Sequence, residues 1–89
     1  MTTTTKRVKT KLSKAYWDSV SECLVAFHGH DHATALEVIA VFQKGLSKRA
    51  LLFAEHEEPF NMACGLAGKE LDIRKFADKY EAILQKIGW

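Results

Sequence analysis

The sequence predicts an all-α fold, a compact bundle of four to five helices, two of them short, around a central apolar helix. Three observations favour this fold: a nearly continuous apolar segment at 31–45, an apolar stripe at helical spacing along 72–87, and three similar helix-start signals. Of the 89 residues, 47% are apolar and 27% are charged, as in ordinary globular domains. We therefore expect a single helical domain, at 12–89, that buries a core.

The first 11 residues are predicted to form a flexible basic arm. The basic residues at this end of the chain are Lys6, Arg7, Lys9, Lys11 and Lys14. Because the first acid is Asp18, the first 14 residues carry a charge of +5, whereas the remaining 75 hold eight basic and eleven acidic groups. Such a charge block at a terminus is typical of a solvated tail.

The first predicted helix begins with Ser13 as its N-cap and ends at Gly29. Ser13 in this role puts Leu12 and Trp17 at the two positions of a hydrophobic staple. The helical spacing predicts one apolar face, made by Tyr16, Val20, Cys23, Leu24 and Phe27.

The second predicted helix is the central one. Asp31 is a favourable N-cap, Gly45 suits a left-handed residue after the last turn, and only two polar residues interrupt the run from 33 to 42. A helix with so little polar surface must be covered by other elements. We therefore expect its large side chains to be buried: Leu36, Ile39 and Phe42.

Two short helices should follow. Ser47 is the N-cap of the first, with 51–53 facing inward and 55–58 facing outward, and Pro59 ends it and begins the second. The inner face of the second is predicted to contain Phe60, Ala63, Cys64 and Ala67, and Gly68 to end it.

The last predicted helix covers 72–87, with Asp72 as its N-cap and Gly88 after its last turn. Its apolar stripe consists of Ile73, Phe76, Tyr80, Ile83, Leu84 and Ile87. Trp89 is left beyond it, free to pack on the core or to contact a partner.

The composition also narrows the class of protein. Cys23 and Cys64 lack the spacing of a zinc or redox motif, so we expect buried free thiols. No apolar run approaches the length of a membrane span, and no signal peptide is visible, so we expect a cytoplasmic protein without membrane contact. No catalytic motif and no cofactor-binding motif is found.

We therefore expect a non-catalytic protein-interaction or regulatory domain that binds a protein partner or itself, as a homodimer. The acidic segment 55–58, where the two short helices meet, is called the acidic junction. Partner contacts are predicted around this junction and at the last residue: Glu57, Glu58, Asn61, Met62 and Trp89. One alternative is a nucleic-acid-associated regulator, which would use Lys6, Arg7, Lys9 and Lys11. Another is a metal-binding protein, whose candidate ligands are His28, His30, His32 and His56.

Overall fold

The computed structural model describes the backbone of residues 2–88 and the side chains of residues 13–88. Five α-helices follow one another: α1 (Thr2–His28), α2 (His32–Lys44), α3 (Lys48–Ala54), α4 (Pro59–Ala67) and α5 (Ala77–Ile87). A 3-10 turn at Ile73–Lys75 precedes α5, and no strand occurs among the described residues. The predicted all-α bundle is confirmed. Within the same range, no helix has both the length and the apolarity that crossing a membrane requires.

The helix at the centre of the bundle is α1, which packs against α2, α4 and α5. Its predicted apolar face is confirmed, since Tyr16, Val20, Cys23 and Leu24 are at most 2% exposed. Ser19 and Ser21 are also buried, and the Ser19 hydroxyl donates to the carbonyl of Ala15 at 2.8 Å. Because α1 itself carries small and apolar residues around much of its circumference, three helices can pack against it. Our placement of the 31–45 segment at the centre was wrong.

The start of α1 also differs from the prediction. The helical backbone begins at Thr2, so Ser13 lies inside the helix and is not its N-cap. Once a helix is nucleated, each added residue gains a backbone hydrogen bond, so a polar segment can extend it without apolar contacts. The side chains of residues 2–12, including Leu12 of the predicted staple, lie outside those described. The division into an arm at 1–11 and a domain at 12–89 stays a prediction.

α2 is helical as predicted, but it lies at the side of the bundle. The backbone N–H of Thr34 donates to the Asp31 carboxylate at 2.7 Å, which confirms the N-cap. Gly45 has φ −81°, a right-handed conformation, so the predicted left-handed residue is wrong. Ile39 is buried and Phe42 is half-buried, but Leu36 is 49% exposed. The prediction that this helix is mostly buried was therefore wrong.

α3 presents more apolar surface to solvent than its sequence predicts. Ser47 is its N-cap, accepting a hydrogen bond from the Ala50 N–H at 3.1 Å, as predicted. Leu52 and Phe53, both expected to face inward, are 50% and 78% exposed. The last residue of α3 meets α1, since the Tyr16 hydroxyl donates to the Ala54 carbonyl at 3.1 Å. A helix of two turns held along one edge leaves the rest of its surface uncovered.

α4 follows the prediction closely. Pro59 is its first residue, and Phe60, Ala63 and Cys64 are buried. Gly68 ends the helix with φ +72°, and the Lys69 N–H bonds back to the Cys64 carbonyl at 3.0 Å. This is the hydrogen bond expected of a left-handed glycine after the last turn.

The predicted helix at 72–87 is divided into two elements. Asp72 caps the 3-10 turn, accepting from the Arg74 N–H at 3.0 Å, and α5 begins only at Ala77. The break lies at Phe76, whose φ of −122° is not helical. The stripe beyond it is confirmed by the burial of Tyr80 and Ile83. Gly88 ends α5 with φ +100°, whereas Trp89 lies outside the described residues.

Aromatic rings fasten α1, α4 and α5 together. The ring of Phe27 lies 5.1 Å from that of Phe60 and 5.4 Å from that of Phe76, and Phe60 lies 5.5 Å from Tyr80. Aromatic pairs at such distances add about 0.5–1.5 kcal/mol each to the burial of the rings. The best-packed part of the molecule is therefore on the α4–α5 side of α1.

Candidate interaction surface

Exposed apolar side chains are concentrated on α2 and α3. Those of large size on the described residues are Val25, Leu36, Val41, Leu52 and Phe53. Four of them belong to the consecutive helices α2 and α3, and we call Leu36, Val41, Leu52 and Phe53 the α2–α3 face. The most exposed are Val41 at 67% and Phe53 at 78%. These four side chains lie within 18 residues of the chain, and large apolar patches on a protein surface are typical of interfaces.

The geometry of α2 explains why part of this face remains exposed. Ala35 and Ile39 are its buried residues and turn toward the core. Leu36 and Val41 are five residues apart, about 140° around the helix, so they lie on the two flanks of that buried strip. The helix that packs on the buried strip leaves both flanks exposed, so apolar surface remains on each side of the strip.

A groove of about 820 Å³ lies between the end of α2, α4 and the segment before the 3-10 turn. Its apolar lining includes Phe42, Met62, Leu66 and Leu71. Glu57, Asn61 and Glu70 supply its polar lining, and the Asn61 amide donates to the Glu57 carboxylate at 3.2 Å. The structure thus brings Glu57, Asn61 and Met62 together in one groove, as expected of a contact site. Their predicted role in partner binding stays a prediction.

The acidic junction between α3 and α4 is held by hydrogen bonds to the core. Tyr80 donates to the Glu58 carboxylate at 2.7 Å and accepts from the Phe60 N–H at 3.4 Å. Burial, followed by the hydrogen bond to Glu58, raises the pKa of Tyr80 well above its usual value. Burial also raises the pKa of Tyr16, and the charges of the nearby Glu57, Glu55 and Glu58 contribute. Both phenols are therefore neutral hydrogen-bond donors that fix the junction.

Glu55 makes contacts between α3 and α1 that sequence reasoning missed. Its Oε2 atom accepts from the Ser13 hydroxyl and from the Trp17 indole N–H, both at 2.7 Å. Glu55 was predicted to face outward, but it is half-buried and anchors the end of α3 to α1. The available signal was Trp17 itself, because a partly buried indole N–H needs an acceptor. The segment 55–58 contains three acids, and the sequence does not indicate which of them accepts the hydrogen bond from Trp17.

The histidines of the 28–32 loop take separate roles. His28 is the last residue of α1, Gly29 turns the chain with φ +71°, and Asp31 caps α2. Within the described residues, the His28 Nε2 and His30 Nδ1 atoms are buried without a hydrogen-bond partner. Burial, with lesser contributions from His30 and Lys69, lowers the pKa of His28 below its usual 6.5.

The candidate metal ligands are not assembled into a site in the described part of the chain. His32 is exposed at the start of α2, and His56 is exposed after α3. In that same part, no group of three or more His, Cys, Asp or Glu side chains is placed to hold a metal ion. The metal-binding alternative therefore stays a prediction without a preformed ligand set.

The two cysteines are free and buried, as predicted. Cys23 lies in α1 and Cys64 in α4, both within the hydrophobic core. Burial, followed by the nearby Cys64, raises the pKa of the Cys23 thiol to about 12. Because the thiolate is the nucleophilic form, the Cys23 thiol is unreactive near neutral pH.

The remaining predicted contact residues lie outside the described side chains: Lys6, Arg7, Lys9, Lys11 and Trp89. Comparison with protein-family models, with curated proteins and with solved structures finds no match for this chain. Its function must accordingly be inferred from the α2–α3 face, the groove and the charges around them.

Proposed function

We propose that this chain is a small non-catalytic protein-interaction domain that acts as a homodimer, joined through the α2–α3 face. The observation that carries the proposal is the exposure of four large apolar side chains on two consecutive helices. Complete burial of a large apolar side chain contributes roughly 1.5–3 kcal/mol. A partner that covers the α2–α3 face therefore gains free energy of association from each side chain that it buries. Two-fold dimers are the commonest closed assembly that such a face forms.

The proposal places the domain in the cytoplasm. Two buried free cysteines are consistent with a reducing compartment, where thiols remain unpaired. Self-association also suits a single domain of 89 residues, because its own core covers only part of its apolar surface.

The first prediction is that self-association depends on the α2–α3 face. Size-exclusion chromatography with light scattering over a dilution series should give a dimer mass that falls to the monomer mass on dilution. Val41→Glu and Phe53→Glu should each raise the dissociation constant at least about tenfold, because the dimer would bury a charge against apolar side chains.

The matched control is Ala82→Glu, which adds the same charge to an exposed helical position on α5. It should leave the dimer unchanged, and circular dichroism should show equal helix content in all variants. A wild-type chain that stays monomeric at every concentration contradicts the proposed function. Retention of the dimer by both face variants contradicts the assignment of this face.

A further inference from the structure

We propose that α2 pairs with α2 of a second copy, antiparallel, about a two-fold axis that passes between Ala40 and Val41. This inference rests on the proposed self-association and specifies its geometry. The side of α2 opposite the core carries Ala33, Glu37, Ala40 and Lys44, and all four are exposed. Their spacing of four, three and four residues keeps them on the seam along which two helices pack.

The charges on this seam indicate that its partner is a second copy of the chain. Glu37 and Lys44 make no ion pair with another described side chain of the chain itself. In an antiparallel pair centred between 40 and 41, Glu37 of each copy lies opposite Lys44 of the other. The face is therefore complementary to itself, and a two-fold pair forms this contact twice.

The same charges select the antiparallel direction. A parallel pair in register would place Glu37 against Glu37 and Lys44 against Lys44, and like charges at such positions are destabilising. Antiparallel helices also place the positive end of one helix dipole beside the negative end of the other.

The side-chain sizes fit this arrangement. The seam carries two small residues, Ala33 and Ala40, which let two helices approach closely, and the larger Leu36 and Val41 lie on either side of it. Val41 lies opposite Ala40, a large residue against a small one. Because α2 spans 13 residues, about 20 Å, the seam is short, and we expect a weak dimer whose mass depends on concentration.

Charge exchange in the full chain tests the pairing. Glu37→Lys and Lys44→Glu should each weaken the homodimer, because each puts two like-charged contacts in place of two attractive ones. Exposed pairs contribute up to about 1 kcal/mol each, so the dissociation constant measured by sedimentation equilibrium at low salt should rise about tenfold or more. The Glu37→Lys/Lys44→Glu double variant should return toward the wild-type value.

Mixing the two single variants gives the sharper result. Glu37→Lys carries lysine at both positions and Lys44→Glu carries glutamate at both, so a heterodimer of the two regains both attractions. With one variant labelled with ¹⁵N so that the three dimers differ in mass, native mass spectrometry of an equimolar mixture should show more heterodimer than the statistical half. The matched control Glu81→Lys reverses an exposed charge on α5 and should leave the dimer unchanged.

The outcomes separate the pairing from the proposed function. A dimer that is insensitive to both charge reversals, or a mixture with the statistical share of heterodimer, overturns the antiparallel pairing while self-association stands. A wild-type chain that is monomeric throughout overturns both. Loss of fold cannot imitate the expected result, because mixing two misfolded variants would not restore association.

Discussion

Glu55 joins the end of α3 to the middle of the bundle through a single carboxylate oxygen. The Ser13 hydroxyl and the Trp17 indole N–H both donate to it, and these donors lie one helical turn apart on α1. Hydrogen bonds to a charged acceptor are stronger than those between neutral groups. The contact fixes the position of the acidic junction, and through it the direction in which α3 presents Leu52 and Phe53.

We predict that Glu55→Ala lowers the free energy of unfolding by about 1–2 kcal/mol, because two donors lose their acceptor at a half-buried site. Urea denaturation followed by circular dichroism measures the change. Glu57→Ala is the matched control, since Glu57 is exposed and its hydrogen-bond partner is the neighbouring Asn61 on the surface. An equal loss in both variants would show that Glu55 is no more important than its exposed neighbour.

At the scale of single residues, the positions predicted correctly are those whose roles are local. Asp31 and Ser47 cap helices because a side-chain oxygen reaches an N–H three residues later, and the sequence contains both partners. Glu55 and Leu36 were assigned the wrong environment because each depends on a neighbour distant in sequence. For Glu55 that neighbour is α1, 38 or more residues away. For Leu36, exposure depends on which helices pack beside α2, and its flank of the helix remains uncovered.

At the scale of elements, α4 has one glycine within it and another just after it, and the two have opposite backbone requirements. Gly65 lies within the helix, and a Cβ added there would meet nothing within 4 Å. Gly68 has equally open surroundings but a φ of +72°, which L residues rarely adopt. The same substitution therefore has opposite consequences three residues apart.

We predict that Gly65→Ala raises the free energy of unfolding by about 0.5–1 kcal/mol, because alanine reduces the freedom of the unfolded chain and favours helix. Gly68→Ala should lower it by about 1 kcal/mol, because the left-handed conformation strains an alanine. Chemical denaturation of the two variants in parallel measures both. Effects of the same sign would contradict the assignment of Gly68 as the residue that ends α4.

The elements themselves were largely predictable, and their arrangement was not. Helical period, caps and proline located all five helices, because these signals are short-range. Which helix occupies the centre depends on how many other helices can pack against it. Apolar content alone wrongly indicated α2. α2 is more continuously apolar than α1, yet α1 has the length and the wide buried face to contact three helices. Of the candidate site, the exposure of Leu36, Leu52 and Phe53 was not predicted, because all three were expected to face inward and their exposure depends on how the helices pack.

At the scale of the whole molecule, buried titratable groups limit the pH range of stability from both sides. Burial lowers the pKa of His28 below 6.5, so the unfolded chain takes up this proton at higher pH than the folded chain does. Stability from this group is complete above about 6.5 and declines as the pH falls toward the folded pKa. At the other limit, burial raises the pKa of Cys23 from 9.0 to about 12 and those of Tyr16 and Tyr80 above 10. Stability from these groups is lost as the pH rises above about 9.

We predict that the Tm is nearly constant between about pH 6.5 and 9 and falls on both sides of this interval. Below it, His28→Gln should flatten the decline between pH 6.5 and 5, since glutamine takes up no proton there. His56→Gln changes an exposed histidine and is the matched control, which should keep the wild-type slope. Thermal unfolding by circular dichroism in buffers of constant ionic strength measures all three chains. If His28→Gln keeps the full acid slope, protonation of the half-buried His28 is not its cause. Asp31 and Asp72 do not affect this test, because their hydrogen bonds to Thr34 and Arg74 lower their pKa values from 3.8 and their contribution is lost only at a lower pH than the interval measured.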